Sequence, residues 1–408
     1  MGNGTEDRTR LLDPLLEELV RELPALLLVN APSSTVRLVD FAFSDDQEEL
    51  RRTVRRWLDE QAPSATVRRL MESDRGYDPE QWTHMASLGW QGIAISEDLG
   101  GAGFGLLELS ILFEEMGRSL YPAPFLSSIV LAAGAIQECG DEQQRRKHLP
   151  GLATGTTIGA LAYLEPNGRL DQSGVEAVAV QGSDGWEITG TKSYVIDGHI
   201  ADLLVVAART PTGVGLFLVS GDSPEVERLA LSVMDLTRKQ AEIALQGAPA
   251  DLLGDPRVGW QGLQRVLEKA VVILAVEQVG GAQRCLDMAV EYAKVRHQFG
   301  RPIGSFQAIK HKCAEMLVQV ESARSAAYYA AWAASEDNDE LPIVAPLAKS
   351  YCSEAYLFCA GENIQIHGGI GFTWEHDAHL YYKRAKSSQL MFGDPAYHRE
   401  ILGDRLGL

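Results

Sequence analysis

Blocks of basic residues, long apolar runs and a paired set of cysteines are all missing from this chain, and each absence closes off a class of function. The 408 residues carry 37 Lys plus Arg against 56 Asp plus Glu, a formal charge of −19. With no run of five or six basic residues, neither nucleic acid nor anionic lipid is the main partner. No apolar run approaches the roughly 18 residues of a membrane helix. The longest near the start, Leu23 to Val29, is interrupted by Pro24, so a transmembrane protein is excluded. The cysteines, Cys139, Cys285, Cys313, Cys352 and Cys359, are odd in number and widely spread. A chain of this length builds a core without disulfide staples, so a reducing cytoplasm is the expected compartment. Glu17, Glu18 and Glu22 stand before Leu23 where a secretory signal would be basic, and Glu6 stands where a myristoylation site carries Ser or Thr.

What remains is the composition of a filled, enzyme-sized globular protein, 45% hydrophobic. Leu12, Leu15, Leu16, Leu19 and Leu23 recur at helical spacing and lead into an Ala/Pro/Ser/Thr loop at Ala31 to Thr35, so residues 1–40 read as an appended segment with a short helix. From Phe43 the pattern is helical. Ser44 suits an N-cap, Asp45 and Asp46 the first turn, and Leu50, Val54, Trp57 and Leu58 one face. Helix is also expected through Trp82 to Leu88 and Leu106 to Met116. Between them the glycines from Glu97 to Gly105 resemble a dinucleotide loop, but a tight turn is expected, because a phosphate-binding fingerprint needs a preceding strand.

Around Gly155 the period changes from helical to alternating. Val175 to Val180, Trp186 to Ile188, Leu203 to Val206, Val214 to Val219 and Ala241 to Leu245 read as strands of an antiparallel domain. After Trp260 the helical period returns, with breaks at Gly300 to Pro302, Asp337 to Pro342 and Gly368 to Gly371. The order implies an α+β, mainly helical fold: a helical domain at 41–152, a β domain at 153–256 and a helical bundle at 257–408.

Two stretches in the last third carry the most specific chemistry. Arg296-His297-Gln298-Phe299-Gly300 runs on to Gln307 and closes one long helix before the next. Gln365-Ile366-His367-Gly368-Gly369 ends a later one. Arginine offers a planar fork to phosphate, phenylalanine a flat wall, glutamine a donor and an acceptor, and glycine close backbone approach. The set suits a bulky dinucleotide lying across helix ends.

With these motifs in place, the chain from Phe43 to Leu402 resembles the acyl-CoA dehydrogenase family. The resemblance implies a tetramer with FAD at subunit interfaces and an acyl-CoA substrate. It also implies that Arg296, Phe299, Gln307, Gln365, Gly368 and Gly369 reach the adenosine diphosphate part of a neighbour's flavin. In the family reaction a carboxylate removes the α-proton of an acyl thioester while the flavin accepts the β-hydride. The base must be ionised and shielded from water.

This sequence departs from the family where that chemistry sits. The segment that usually reads Tyr-Glu-Gly-Thr is here Met391-Phe392-Gly393-Asp394, and Phe392 holds the place of the glutamate. The other position known to carry the base, on the helix leading to Arg-x-x-Phe-Gly, falls on Ala270. No catalytic residue is therefore assigned. Of two flavin-ring contacts that the family makes with threonine hydroxyls, one falls on Leu164 and the other on Ile196. Residues that reach towards a neighbour's cofactor survive, and those that would hold and use the chain's own are replaced. The resemblance is thus to the base-lacking partner subunit of bacterial α2β2 acyl-CoA dehydrogenases. The alternative is a self-sufficient flavoenzyme, a dehydrogenase or a related oxidase or monooxygenase, with Asp394 as base or none required. The cluster Glu375, His376, Asp377 and His379 matches an ordinary acidic segment of the family, and no metal site is expected there. Cys352 and Cys359 read as small apolar packing residues.

Overall fold

The computed structural model describes residues 43–408, apart from Asp184. The helix expected within residues 1–40 lies outside the described residues. The first helix among the described residues, α1 (Asp45–Gln61), starts where Ser44 and Gln47 cap each other's backbone N–H groups, and it buries Val54, Trp57 and Leu58. Helices α2 (Ser64–Glu72) and α3 (Pro79–Ser87) follow, then α4 (Leu106–Ser119). The glycine stretch between α3 and α4 is a compact turn that follows a helix, α3, where a phosphate-binding fingerprint needs a strand. A Cβ at Gly101 would lie 2.0 Å from the Ile95 carbonyl oxygen, so glycine serves close backbone packing there. A π-helical segment, Leu126–Ala133, leads into α5 (Gly134–Cys139) and α6 (Glu142–Ala153).

Seven strands come next: β1 (Gly159–Ala162), β2 (Val178–Gly182), β3 (Gly185–Ile196), β4 (Leu203–Thr210), β5 (Gly213–Ser220), β6 (Val226–Ala230) and β7 (Gln240–Leu253). They are not all antiparallel, as the sequence suggests. β1 runs parallel to β4, with Gly159 opposite Leu203, and β2 meets β4 in parallel at Val178 and Arg209. The β2–β3 hairpin makes this possible, since it supplies the long connection that parallel neighbours require. The sheet closes into a ring: β4 pairs with β2 and β5, β3 joins β2 to β7, and β7 returns to β5. Leu204, Val206, Phe217 and Ile243 fill a separate core, while Leu203, Val205 and Leu216 belong to the main helical core. β4 is therefore buried on both faces, which explains its unbroken apolar run.

The rest is helical. α7 (Gly259–Val295) is buried without interruption from Ala270 to Ala282, so it forms the centre of the bundle. The short strands β8 (His297–Gln298) and β9 (Arg301–Pro302) form a hairpin before α8 (Gln307–Ser335). Helix α9 (Leu341–His367) ends at the glycine turn, and α10 (Ala378–Leu390) and α11 (Pro395–Leu406) complete the chain. Alanines at 323, 327, 330 and 331 of α8 are fully buried or nearly so, and such small side chains allow close helix approach. Cys352 and Cys359 are buried among the apolar side chains of this bundle.

Candidate functional site

The six residues singled out for cofactor binding all face outward. Arg296 caps the end of α7 and is exposed. Phe299, at the tip of the β8–β9 hairpin, is 92% exposed and has a φ of 53°, a left-handed conformation that a bulky residue seldom adopts. Gln307 opens α8 and Gln365 stands in the last turn of α9, both exposed. Gly368 has a φ of 64°, and a Cβ at Gly368 or Gly369 would meet nothing within 4 Å, so the backbone of this turn is open to close approach. Both motifs meet at one corner of the bundle because Tyr292 of α7 stacks on His367 of α9, with ring centroids 4.3 Å apart.

The positions of the missing base face inward. Phe392 is buried, with a φ of 60°. Its carbonyl oxygen accepts from His398 Nε2 at 3.0 Å. Burial in this setting, with Lys349 nearby, pulls the His398 imidazole down to about 4. The Lys349 ammonium donates to the carbonyl oxygens of Gln389 at 3.0 Å and Gly393 at 3.2 Å and to Ser353 Oγ at 3.0 Å. Burial brings that lysine down to about 7. Ala270 is fully buried. Neither nearby carboxylate fills the gap: Glu268 is held by Arg405 at 2.6 Å, and exposed Asp394 caps α11 by accepting from the Tyr397 N–H at 2.8 Å. Phe392 and Glu268 share a cavity of about 340 Å³ with Tyr163, Trp260, Val271 and His398. Of the carboxylates that line this slot, Glu268 is tied up in that ion pair, and Asp171 is exposed and accepts from the Ser173 N–H at 2.7 Å.

The flavin-ring positions are also apolar. Ile196 is buried at the end of β3, and Leu164 is half-buried between β1 and the next turn. Beside them Glu165 accepts from Lys192 Nζ at 2.6 Å and from the Ala177 N–H at 2.9 Å, a buried pair that fixes this loop on the sheet. A polar ring edge packed against Leu164 and Ile196 would lose hydrogen bonds worth roughly 1–3 kcal/mol each.

Sequence reading missed a buried charge network close by. Arg384 of α10 reaches Asp235 at 2.7 Å and Glu277 of α7 at 2.5 Å, and Arg238 reaches Glu277 at 2.7 Å. Burial would lift the Glu277 carboxyl, but Arg238 and Arg384 outweigh it and hold the group below its ordinary range. Asp197, one residue beyond Ile196, goes the other way: burial raises its carboxyl despite a 2.6 Å bond from Ser127 Oγ. The sequence did carry one signal, since Glu277 is the single acid in the apolar run Val271 to Gly281. The histidine cluster is engaged internally: His376 accepts from the Ala378 N–H at 3.1 Å, His379 bonds the Trp374 carbonyl at 3.2 Å, and Asp377 pairs with Arg68 at 2.7 Å.

Comparison with known proteins adds an independent line. The profile of the acyl-CoA dehydrogenase N-terminal domain matches residues 44–156, and that of the acyl-CoA dehydrogenase C-terminal domain matches residues 257–407. The acyl-CoA dehydrogenase IpdE2 of Mycobacterium tuberculosis is 35% identical over 362 residues, covering 88% of this chain and 95% of that protein. Among solved structures, butyryl-CoA dehydrogenase from Megasphaera elsdenii superposes with a TM-score of 0.84 at 28% identity, over 91% of this chain and all of that one. The ChsE4–ChsE5 complex from Mycobacterium tuberculosis gives a TM-score of 0.82 at 29% identity, over 90% of this chain and 99% of the matched one.

Proposed function

The chain belongs to the acyl-CoA dehydrogenase family, and on that premise we propose that it is the non-basic subunit of a heteromeric, cytoplasmic acyl-CoA dehydrogenase. In this reading it completes a FAD site on a second, related chain in an α2β2 tetramer. The observation that carries the reading is the contrast between two surfaces. Arg296, Phe299, Gln307, Gln365, Gly368 and Gly369 are present and accessible, whereas the buried base position holds Phe392.

The residues fit one part of the cofactor and not the other. The Arg296 guanidinium suits the diphosphate, the Phe299 ring a flat face of the adenosine, and the Gly368–Gly369 turn a close backbone approach. Leu164 and Ile196 do not suit the polar edge of the flavin ring. When bound at such a shared site, flavin supplies the acceptor for the β-hydride of an acyl thioester. This chain's part is to bind and orient the outer half, while the proton is taken by a carboxylate of the other subunit. That one similar solved structure is a complex of two differently named proteins, ChsE4 and ChsE5, supports a two-chain arrangement. Asp394, the base of the self-sufficient alternative, is exposed and engaged as a helix cap, which tells against that reading.

The experiment is expression alone and together with a family member that keeps its glutamate. Alone, the purified chain should carry little flavin and no acyl-CoA dehydrogenase activity. Together, the two should co-purify in equal amounts with flavin and turnover. A yellow, active homotetramer from the single chain would overturn the proposal.

A further inference from the structure

Six arginines whose side chains are at most one-third exposed, Arg51, Arg68, Arg238, Arg324, Arg384 and Arg405, each have a guanidinium nitrogen within 2.7 Å of a carboxylate oxygen. Arg228, equally shielded, is served by backbone carbonyls. Arg118 and Arg284 differ from all of these. Arg118, 24% exposed, has its nearest carboxylates at 3.5 Å, Asp287, and at 4.0 Å, Asp59. Arg284, 30% exposed, reaches only Glu291 at 3.4 Å, and that glutamate is itself 66% exposed.

Both arginines line the same cleft of about 280 Å³, where α1 and α2, the end of α4, α7 and α10 meet. Each guanidinium has five N–H donors in a fixed fork, and these two use few of them within the protein. Of the acids on the cleft, Asp377 is held by Arg68 at 2.7 Å, and Asp59 is 64% exposed, where water screens it. Ser64 and Ser119 line the same wall, but their hydroxyls are engaged, Ser64 with Asp377 at 2.6 Å and Ser119 with the carbonyls of Glu115 and Met116, so the arginines are the donors left to an occupant. The cleft therefore presents two partly shielded, incompletely matched cations, and shielding strengthens their hold on a compact anion.

We propose that this cleft is an oxyanion site that takes a phosphate group, free or as a monoester, between Arg118 and Arg284. Two forked donors from different helices match the oxygens of a tetrahedral anion better than the single long contacts each now makes. The occupant would bridge the end of α4 to α7. The site lies on residues distinct from those assigned to the flavin, and the proposal stands or falls independently of the proposed function.

The test is calorimetric titration of the full chain, in low-chloride buffer, with inorganic phosphate and separately with glycerol phosphate. Saturable binding of about one equivalent is expected, weakened at least about tenfold in Arg284→Gln and unchanged in Arg399→Gln, whose partner Glu354 lies elsewhere at 2.8 Å. Binding of both probes marks a site for the phosphate group itself, and binding of glycerol phosphate alone marks a site that also reads the ester. Absence of saturable binding by both, or full retention in Arg284→Gln, overturns the proposal. If that variant fails to fold, judged by circular dichroism, Arg118→Gln takes its place with the same two outcomes.

Discussion

The Nε2 of His398 lies 3.0 Å from the carbonyl oxygen of Phe392, and because a carbonyl only accepts, the imidazole must donate there. The neutral tautomer therefore carries its proton on Nε2, and acid adds a second one at Nδ1. That atom is buried without a partner.

Acid should weaken the fold through this residue. The imidazole is depressed to about 4 in the folded chain from an ordinary 6.5, so the unfolded chain binds the extra proton first. The stability it confers is complete above pH 6.5 and disappears as the pH falls to 4, a loss of roughly 3 kcal/mol. Burial shifts His367 and His376 in the same direction. Lys349, brought down to about 7 from an ordinary 10.5, loses most of its contribution above this window and adds only a small further fall at its upper end. Urea unfolding between pH 7 and pH 4 checks the loss, and His398→Gln should flatten the curve.

Replacing Phe392 by glutamate restores the residue type that the family uses at this point, without restoring its chemistry. Leu164 and Ile196 remain where the family resemblance places hydroxyl contacts to the flavin, so on the proposed reading Phe392→Glu alone should give no turnover. In the proposed two-chain enzyme it should leave the rate within about twofold, because that reading puts the working base on the other subunit, and cost about 1–3 kcal/mol for a buried carboxyl. Turnover with an artificial electron acceptor and thermal unfolding measure the two effects. A large gain in rate from the single chain would favour the self-sufficient enzyme.

Arg296 is exposed, so its loss should not disturb folding. Arg296→Ala in the two-chain enzyme should raise the flavin dissociation constant about tenfold or more, the usual scale for a charge-assisted phosphate contact. Flavin retained after gel filtration, read from absorbance, is the measurement. Unchanged flavin content would remove Arg296 from the proposed site.

Glu277 has the opposite character, since it is buried and two guanidinium groups depend on it. Glu277→Ala leaves Arg238 and Arg384 facing each other across a buried space, and the chain should lose about 3–5 kcal/mol. Chemical denaturation would show this, and a loss below about 1 kcal/mol would mean that Asp235 takes over both charges.

Much of the fold was legible from local pattern. The face Val54, Trp57 and Leu58 of α1 is buried as its spacing indicates, and the breaks at Gly300, Asp337 and Gly368 all fall between helices. Strands escaped notice where local pattern is weak. β1, Gly159–Ala162, is buried throughout and so shows no alternation, and β6, Val226–Ala230, is largely exposed and carries Glu227 and Arg228. The parallel pairing of β1 and β4 depends on which strands meet after the chain has turned back, which no local signal carries. For the site, the motif around Arg296 and Phe299 could be read because its residues are close in sequence. The network around Glu277 could not, because Arg238 comes from the approach to β7 and Arg384 from α10, more than a hundred residues on.

The closed ring of strands sets how this chain comes apart. A strand in an open sheet can peel away from an edge, but β3 and β5 each sit between two laddered neighbours, so removing either of them breaks two ladders at once. Their amide hydrogens should therefore exchange with solvent together, at close to the global unfolding rate. β1 and β6 are each laced along one side only, and theirs should exchange first.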